Sequence, residues 1–279
     1  MLKKINCLTI LIVIFFNLIF PILSIAGQND DNYILYINSE ADLYNFATRV
    51  NNGEDFEEYT VELKTNIELN CNETNQWIPI GTLDNPFKGK FNGNGHKIIG
   101  MEIYEQSKYV GLFGYVFKGE IKNLIVENSH IKITTDEIMS SYIGIITGIL
   151  GDSSIINCST NNCKMEIITD SECYIGGFVG ISAGGKYNHG TTGITGRSII
   201  KDSFNNTEII IDNSAKTINY VGGIVGYMSY TDTKNTYNTA NITINAYNSA
   251  TGGIAGENYG TIKKCYNSRK YMYNRDVKL

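Results

Sequence analysis

Proline occurs three times in these 279 residues, tryptophan once and histidine three times, and charged residues make up only 18%. With so little proline and no Gly- or Ser-rich run, no linker divides the chain, which reads as one large domain after its export segment. The formal net charge is −5. That weak, mildly acidic balance excludes the basic footprint of a nucleic-acid binder and supplies no membrane cue. The histidines form no Ser/His/Asp order and no metal-ligand spacing. His96 sits in a turn, His130 in the strand-like piece Ser129-His130-Ile131 with no matched partner, and His189 in an insert. No cofactor is expected.

The acids near the repeats, Glu120, Asp152, Asp202 and Asp232, occupy non-equivalent positions. General acid and base work on a glycosidic bond needs two carboxylates, and Asp202 stands alone. The Asp of calcium-binding Gly-Gly-x-Gly-x-Asp repeats is missing from every copy. After residue 26 there are five cysteines, Cys71, Cys158, Cys163, Cys173 and Cys265, an odd number that cannot all pair internally. Buried, reduced thiols are expected, with Cys163–Cys173 the one local candidate pair.

What the chain does have is a phrase that returns. Val221-Gly222-Gly223-Ile224-Val225-Gly226 has copies ending at Gly180 and Gly256 and looser ones ending at Gly114 and Gly148. The closing glycines lie 34, 32, 46 and 30 residues apart. Such a period means stacked equivalent units. After each phrase comes Ile-x-Asn or a variant: Ile121-Lys122-Asn123, Ile155-Ile156-Asn157, Ile200-Lys201-Asp202, Thr233-Lys234-Asn235 and Ile262-Lys263-Lys264. A third piece follows at Ile131, Met165, Ile209 and Ile242. These runs carry strand alternation and no helical period.

Three short strands per unit suit an all-β solenoid, a parallel β-helix with three strands per rung. Each strand would pair with its copy about 4.8 Å along the axis. Asn123, Asn157 and Asn235 should stack, as should Asn205, Asn238 and Asn267. The Gly pairs fit a bend that needs close backbone approach or positive φ.

The start of the chain reads differently. Met1-Leu2-Lys3-Lys4, an apolar run from Leu8 to Phe20 and Ser24-Ile25-Ala26 form a signal peptide over 1–26, so a secreted or extracellular protein is expected. Residues 27–60 hold a short capping helix: Ser39 as N-cap with Asp42 reaching back, Leu43, Phe46, Ala47 and Val50 as the buried face, and Gly53 as the stop. Residues 61–279 form the solenoid. The helix covers its first rung, since open strand edges invite aggregation. The end after Tyr271 is short for a cap, so self-association at the last rung is an expectation.

Trp77-x-Pro79-Ile80-Gly81, Phe87-x-Gly89-x-Phe91-x-Gly93-Asn94-Gly95-His96-x-Ile98, Gly111-Leu112-Phe113-Gly114 and the later Gly-Gly-x-x-Gly phrases together resemble the GLUG-repeat family of secreted and surface microbial proteins. The resemblance runs from residue 39 to about 268. It implies a right-handed, pectin-lyase-like parallel β-helix acting as an extracellular stalk or binding surface. The sequence shows neither the adhesin or peptidase domain found beside such repeats nor a cell-wall sorting signal.

Two surface features are candidate sites. Lys122, Lys201, Lys234 and Lys263 hold one place in four units, with Ile156 breaking the row. Pointing outward they are either a stripe for an anionic glycan or a charged edge that keeps the protein soluble. The insert with Tyr187 and His189 must leave the stack as a loop and is a second candidate. The expected function is non-enzymatic surface adhesion, or binding of a glycan or host ligand. The alternative is a carbohydrate-active lyase or hydrolase with a degenerate site.

Overall fold

The computed structural model describes residues 33–104, 107–135, 140–184, 196–213, 217–246, 248–269 and 271–273. Residues 1–26, expected to be a signal peptide, and the loop residues Tyr187 and His189 lie outside the described residues. What is described is an all-β, solenoid-like stack in which the named strands pair in parallel across three sheets.

Each repeat unit passes through the three sheets in the same order. In one unit, Asn219–Gly222 lies in the small sheet, Val225–Lys234 in the first large sheet, and Tyr237–Asn238 with Ile242–Ala246 in the second. The next unit repeats this with Ser249–Gly252, Ala255–Lys263, Tyr266–Asn267 and Tyr271–Tyr273. The register follows the sequence alignment of the repeats. Ile121, Ile155, Ile200, Thr233 and Ile262 are successive partners. So are Ile131, Met165, Ile209 and Ile242. Alternation puts these rows inside, where all but Ile262 are buried.

The corners carry the positive φ. Asn123, Asn157, Asp202, Asn235 and Lys264 have φ between 49° and 54°, one at each exit from the first large sheet. Asn and Asp tolerate this left-handed region because their short side chains hydrogen-bond locally. Here they also bond along the axis. Asn123 donates to Asn92 at 3.0 Å, Asn157 to Asn123 at 2.8 Å and Asn235 to Asp202 at 2.8 Å.

The repeated glycines have a different reason from one of the two expected. Positive φ is not what Gly223 and Gly226 supply. A Cβ on Gly226 would run into the backbone of Tyr174 and Ile175 in the preceding unit's small-sheet strand. A Cβ on Gly223 would meet the Asn238 amide and the Gly253 carbonyl. The phrase is therefore a close-approach device, letting the small sheet lie against the first large one. The seam between them is filled by a separate apolar cluster around Tyr115, Tyr142, Ile149 and Ile181. Tyr142, Tyr174 and Tyr220 run along it in register, with ring centroids 5.3 and 4.8 Å apart.

The capping helix, α1 (Glu40–Asn51), buries Leu43, Phe46, Ala47 and Val50 as its spacing requires. Ser39 accepts from the Asp42 N–H at 3.2 Å, but the Asp42 carboxylate accepts from the Asn38 N–H at 2.9 Å, one residue before the expected capping-box partner. Gly53 follows at φ 91° and donates to the Val50 carbonyl. Phe46 meets Phe56 and Phe87 edge-on at 5.1 and 5.6 Å, closing that end of the core. Trp77 is buried beneath Tyr44 of α1 and donates to the Leu112 carbonyl. The stack itself starts before the helix. Tyr33–Ile37 pairs in parallel with Tyr59–Leu63, so strand pairing begins within the segment assigned only a helix. Of the five residues Tyr33–Ile37 only Leu35 and Ile37 are buried, too few to separate a strand from a lead-in by pattern alone.

All five described cysteines are free, Cys163 and Cys173 included. Burial pushes the Cys158 and Cys173 thiols up to about 12 and the Cys163 thiol to about 11. They pack as small hydrophobes and are poor nucleophiles.

Candidate binding surface

The lysine row is real in register and shorter than the sequence implies. Successive partners on the outer face are Asn92, Lys122, Ile156, Lys201, Lys234 and Lys263. Ile156 isolates Lys122, whose ammonium is tied to Glu120 at 2.9 Å. Lys201, Lys234 and Lys263 are contiguous, and among the described residues no salt bridge engages any of them. Like charges directly opposite on neighbouring strands repel. Among the described residues the three stacked ammoniums form no salt bridge, although Lys263 is close enough to Asp232 to help hold that carboxyl below its ordinary value. Tyr187 and His189, the loop candidates, cannot be related to this edge.

Three residues beyond each lysine, past the positive-φ corner, stands an aromatic side chain that sequence reasoning missed. Phe204, Tyr237 and Tyr266 are successive partners in the second large sheet. They are 36%, 44% and 58% exposed. The signal was present as Ser203-Phe204, Thr236-Tyr237 and Cys265-Tyr266. It starts only in the third unit, because the row runs Ile125, Ser159, Phe204. Beside the first two rings lies a shallow, open concavity lined by Asp202, Ser203, Phe204, Asn235 and Tyr237. The Ser203 hydroxyl is buried and donates to the Lys201 carbonyl at 2.8 Å. Asp202 and Asn235 are the polar groups left at the mouth.

His130 has a partner after all. Its Nε2 lies 2.8 Å from Glu166, which also receives the Lys164 ammonium at 2.8 Å. Lys164 first and His130 second hold the Glu166 carboxyl below its ordinary value. Tyr104 donates to Glu102 at 2.7 Å, and Glu102 is the register partner of His130. The pairing was not legible because His130 and Glu166 are 36 residues apart and meet only when strands align. No group of three or more potential metal ligands occurs among the described residues. No described helix is long and apolar enough to cross a membrane.

No established family profile matches the chain. A 74-residue stretch is 36% identical to a "Putative Gly-rich membrane protein" of Evansella cellulosilytica. The match covers 26% of this chain and 8% of that protein, so the chain spans a small fraction of the relative's length. In structure, the chain is similar to a "putative immunoglobulin A1 protease" from Bacteroides ovatus, with TM-score 0.55, 18% identity, and coverage of 91% of this chain and 80% of the other. At that identity the likeness is one of fold.

Proposed function

We propose that this is a secreted, GLUG-like repeat protein. Its stack is a right-handed parallel β-helix with three strands per turn, and it acts at an extracellular surface by binding an anionic glycan. The observation that carries the reading is the contiguous row Lys201, Lys234, Lys263, which forms no salt bridge among the described residues. A linear polyanion laid along the axis meets one ammonium per strand, about 4.8 Å apart. The adhesive role follows as the simplest use of a long edge that repeats its contacts. Binding through exposed charges weakens as salt rises. The test is retention on immobilised polygalacturonate, alginate and hyaluronate across a salt series, comparing the parent with Lys201→Gln/Lys234→Gln. Retention that falls with salt and is lost in the double variant supports the reading. Equal retention of both proteins rejects it.

A second reading, a carbohydrate-active enzyme, is favoured by the His130–Glu166–Lys164 cluster with Glu102 beside it. That cluster supplies a base and more than one carboxyl on an outer sheet face. Shortened oligosaccharides made by the parent and not by Glu166→Gln would make the protein an enzyme.

A further inference from the structure

The open concavity lined by Phe204 and Tyr237 has a composition that a charge row alone does not require. Two exposed rings on adjacent strands flank it, with Asp202 and Asn235 at the corner between them. Elsewhere in the molecule, in-register aromatics close on one another: Tyr174 and Tyr220 stack at 4.8 Å and 12°. Among the described residues no such stack joins Phe204, Tyr237 and Tyr266. Their faces are therefore not used up in a ladder. Asp202 accepts from Asn235 through one carboxylate oxygen, and no other side-chain bond to that carboxylate is made among the described residues. A second acceptor oxygen is available beside two aromatic surfaces.

These groups differ from the lysines in what they recognise. A carboxylate accepts hydrogen bonds and repels anions, so Asp202 suits hydroxyl groups. Aromatic faces carry negative quadrupole potential and favour the slightly positive C–H face of a pyranose ring. Pockets that combine apolar walls with a few placed polar groups fix a ligand's orientation. Lys201 and Lys234 lie on the other side of the same corner, three residues from each ring. A polymer that satisfies both flanks has hydroxylated rings carrying acidic substituents. The strand spacing is also close to the advance of one hexose unit along an extended chain.

We infer that the Phe204–Tyr237 concavity is a sugar-ring subsite, and that the ligand along this edge is a linear uronic-acid polysaccharide. One ring packs against Phe204 and Tyr237, its hydroxyls donate to Asp202, and its carboxylate and that of the next sugar face Lys201 and Lys234. Tyr266 extends the platform by one unit. The inference rests on the glycan-binding reading of the lysine row and adds ring recognition to it.

The experiment separates the two. Retention is measured on polygalacturonate and on poly-glutamate of matched charge, a polyanion without sugar rings. The proteins are the parent, Phe204→Ser, Tyr237→Ser and Lys201→Gln/Lys234→Gln. Serine already stands in this row at Ser159, so the ring variants keep a sheet-compatible residue. Far-UV circular dichroism and melting temperature check that they fold. The parent should prefer polygalacturonate. Each ring variant should lose about tenfold or more on polygalacturonate and nothing on poly-glutamate, while the lysine variant loses both. Ring variants that bind polygalacturonate like the parent, with the lysine variant still impaired, overturn the subsite and leave the charge edge standing. A parent that retains neither polymer overturns both.

Discussion

The side-chain amide of Asn205 donates to the backbone carbonyl of Gly223 at 2.7 Å, inside the stack and away from water. It also donates to Asn238 at 2.8 Å and accepts from Thr160 at 2.5 Å. Asn205 and Asn238 are both 0% exposed, and Asn238 passes the chain on to Asn267 at 2.9 Å. The row thus changes from Val126 to Thr160 to three amides joined by side-chain hydrogen bonds, the last of them, Asn267, half-buried. A buried polar network of this kind is stable only when complete.

Asn205→Leu should therefore destabilise in spite of its hydrophobic gain. It strands the Gly223 carbonyl, at about 1–3 kcal/mol for a buried group left unpaired, takes the acceptor from the Thr160 hydroxyl, and leaves the Asn238 oxygen with only the Ala240 N–H. Urea unfolding should show the midpoint falling with an unchanged slope. A midpoint equal to the parent's would mean the ladder contributes nothing.

Two glycines separate close approach from backbone conformation. Gly223 has no space for a Cβ, whereas Gly95 has φ 78° and nothing within 4 Å of a built Cβ. Gly223→Val should destabilise by several kcal/mol, as other crowded or strained sites do. Gly95→Ala should lose only about 1–2 kcal/mol from left-handed strain, and Gly95→Asn less still. Equal melting temperatures for Gly223→Val and Gly95→Asn would contradict the packing described for the glycine phrase.

At the capped end, Phe46→Asp buries an unpaired charge among Phe56, Phe87 and Phe91. Aggregated or unfolded protein is the expected product. Asn45→Asp, one residue away on the exposed face, should fold normally. Arg49 is not a neutral control, because it pairs with Glu54 and lies over the Phe56 ring. Size-exclusion profiles of the two variants distinguish a cap from a loosely attached helix.

The Glu166 carboxyl is held below its ordinary value of 4.5, chiefly by Lys164 and then by His130. A depressed folded-state value stabilises above the unfolded value and is lost as pH falls through the folded one. The stability difference between parent and Glu166→Gln should be present at pH 6. It should shrink once pH drops below about 4.5, the ordinary value. Its size should be under about 1 kcal/mol, as for other partly exposed ion pairs. Melting curves from pH 6 to pH 3 measure it. A difference that grew toward acid would assign the shift to another group.

The repeat phrase, the three strands per unit, the corner asparagines and the buried face of α1 were all legible in the sequence. Each is a local pattern whose period the backbone geometry sets: two for a strand, 3.6 for the helix and about thirty for the stacked unit. Parallel in-register pairing turns sequence alignment directly into spatial rows, which is why the sequence alone aligns Lys201, Lys234 and Lys263. Other features depended on what the third dimension brought together. The glycines at 223 and 226 read equally well as bends or as close contacts until the small sheet was seen against the large one. His130 looked unpartnered because Glu166 reaches it only through strand alignment. Phe204 and Tyr237 carry no mark of exposure in the sequence, since exposure is decided by which face a corner turns outward. A one-residue change in that turn would bury the rings and expose the serine and threonine beside them. The chemistry of the edge is written in the chain, but its outward facing is a property of the folded corner alone.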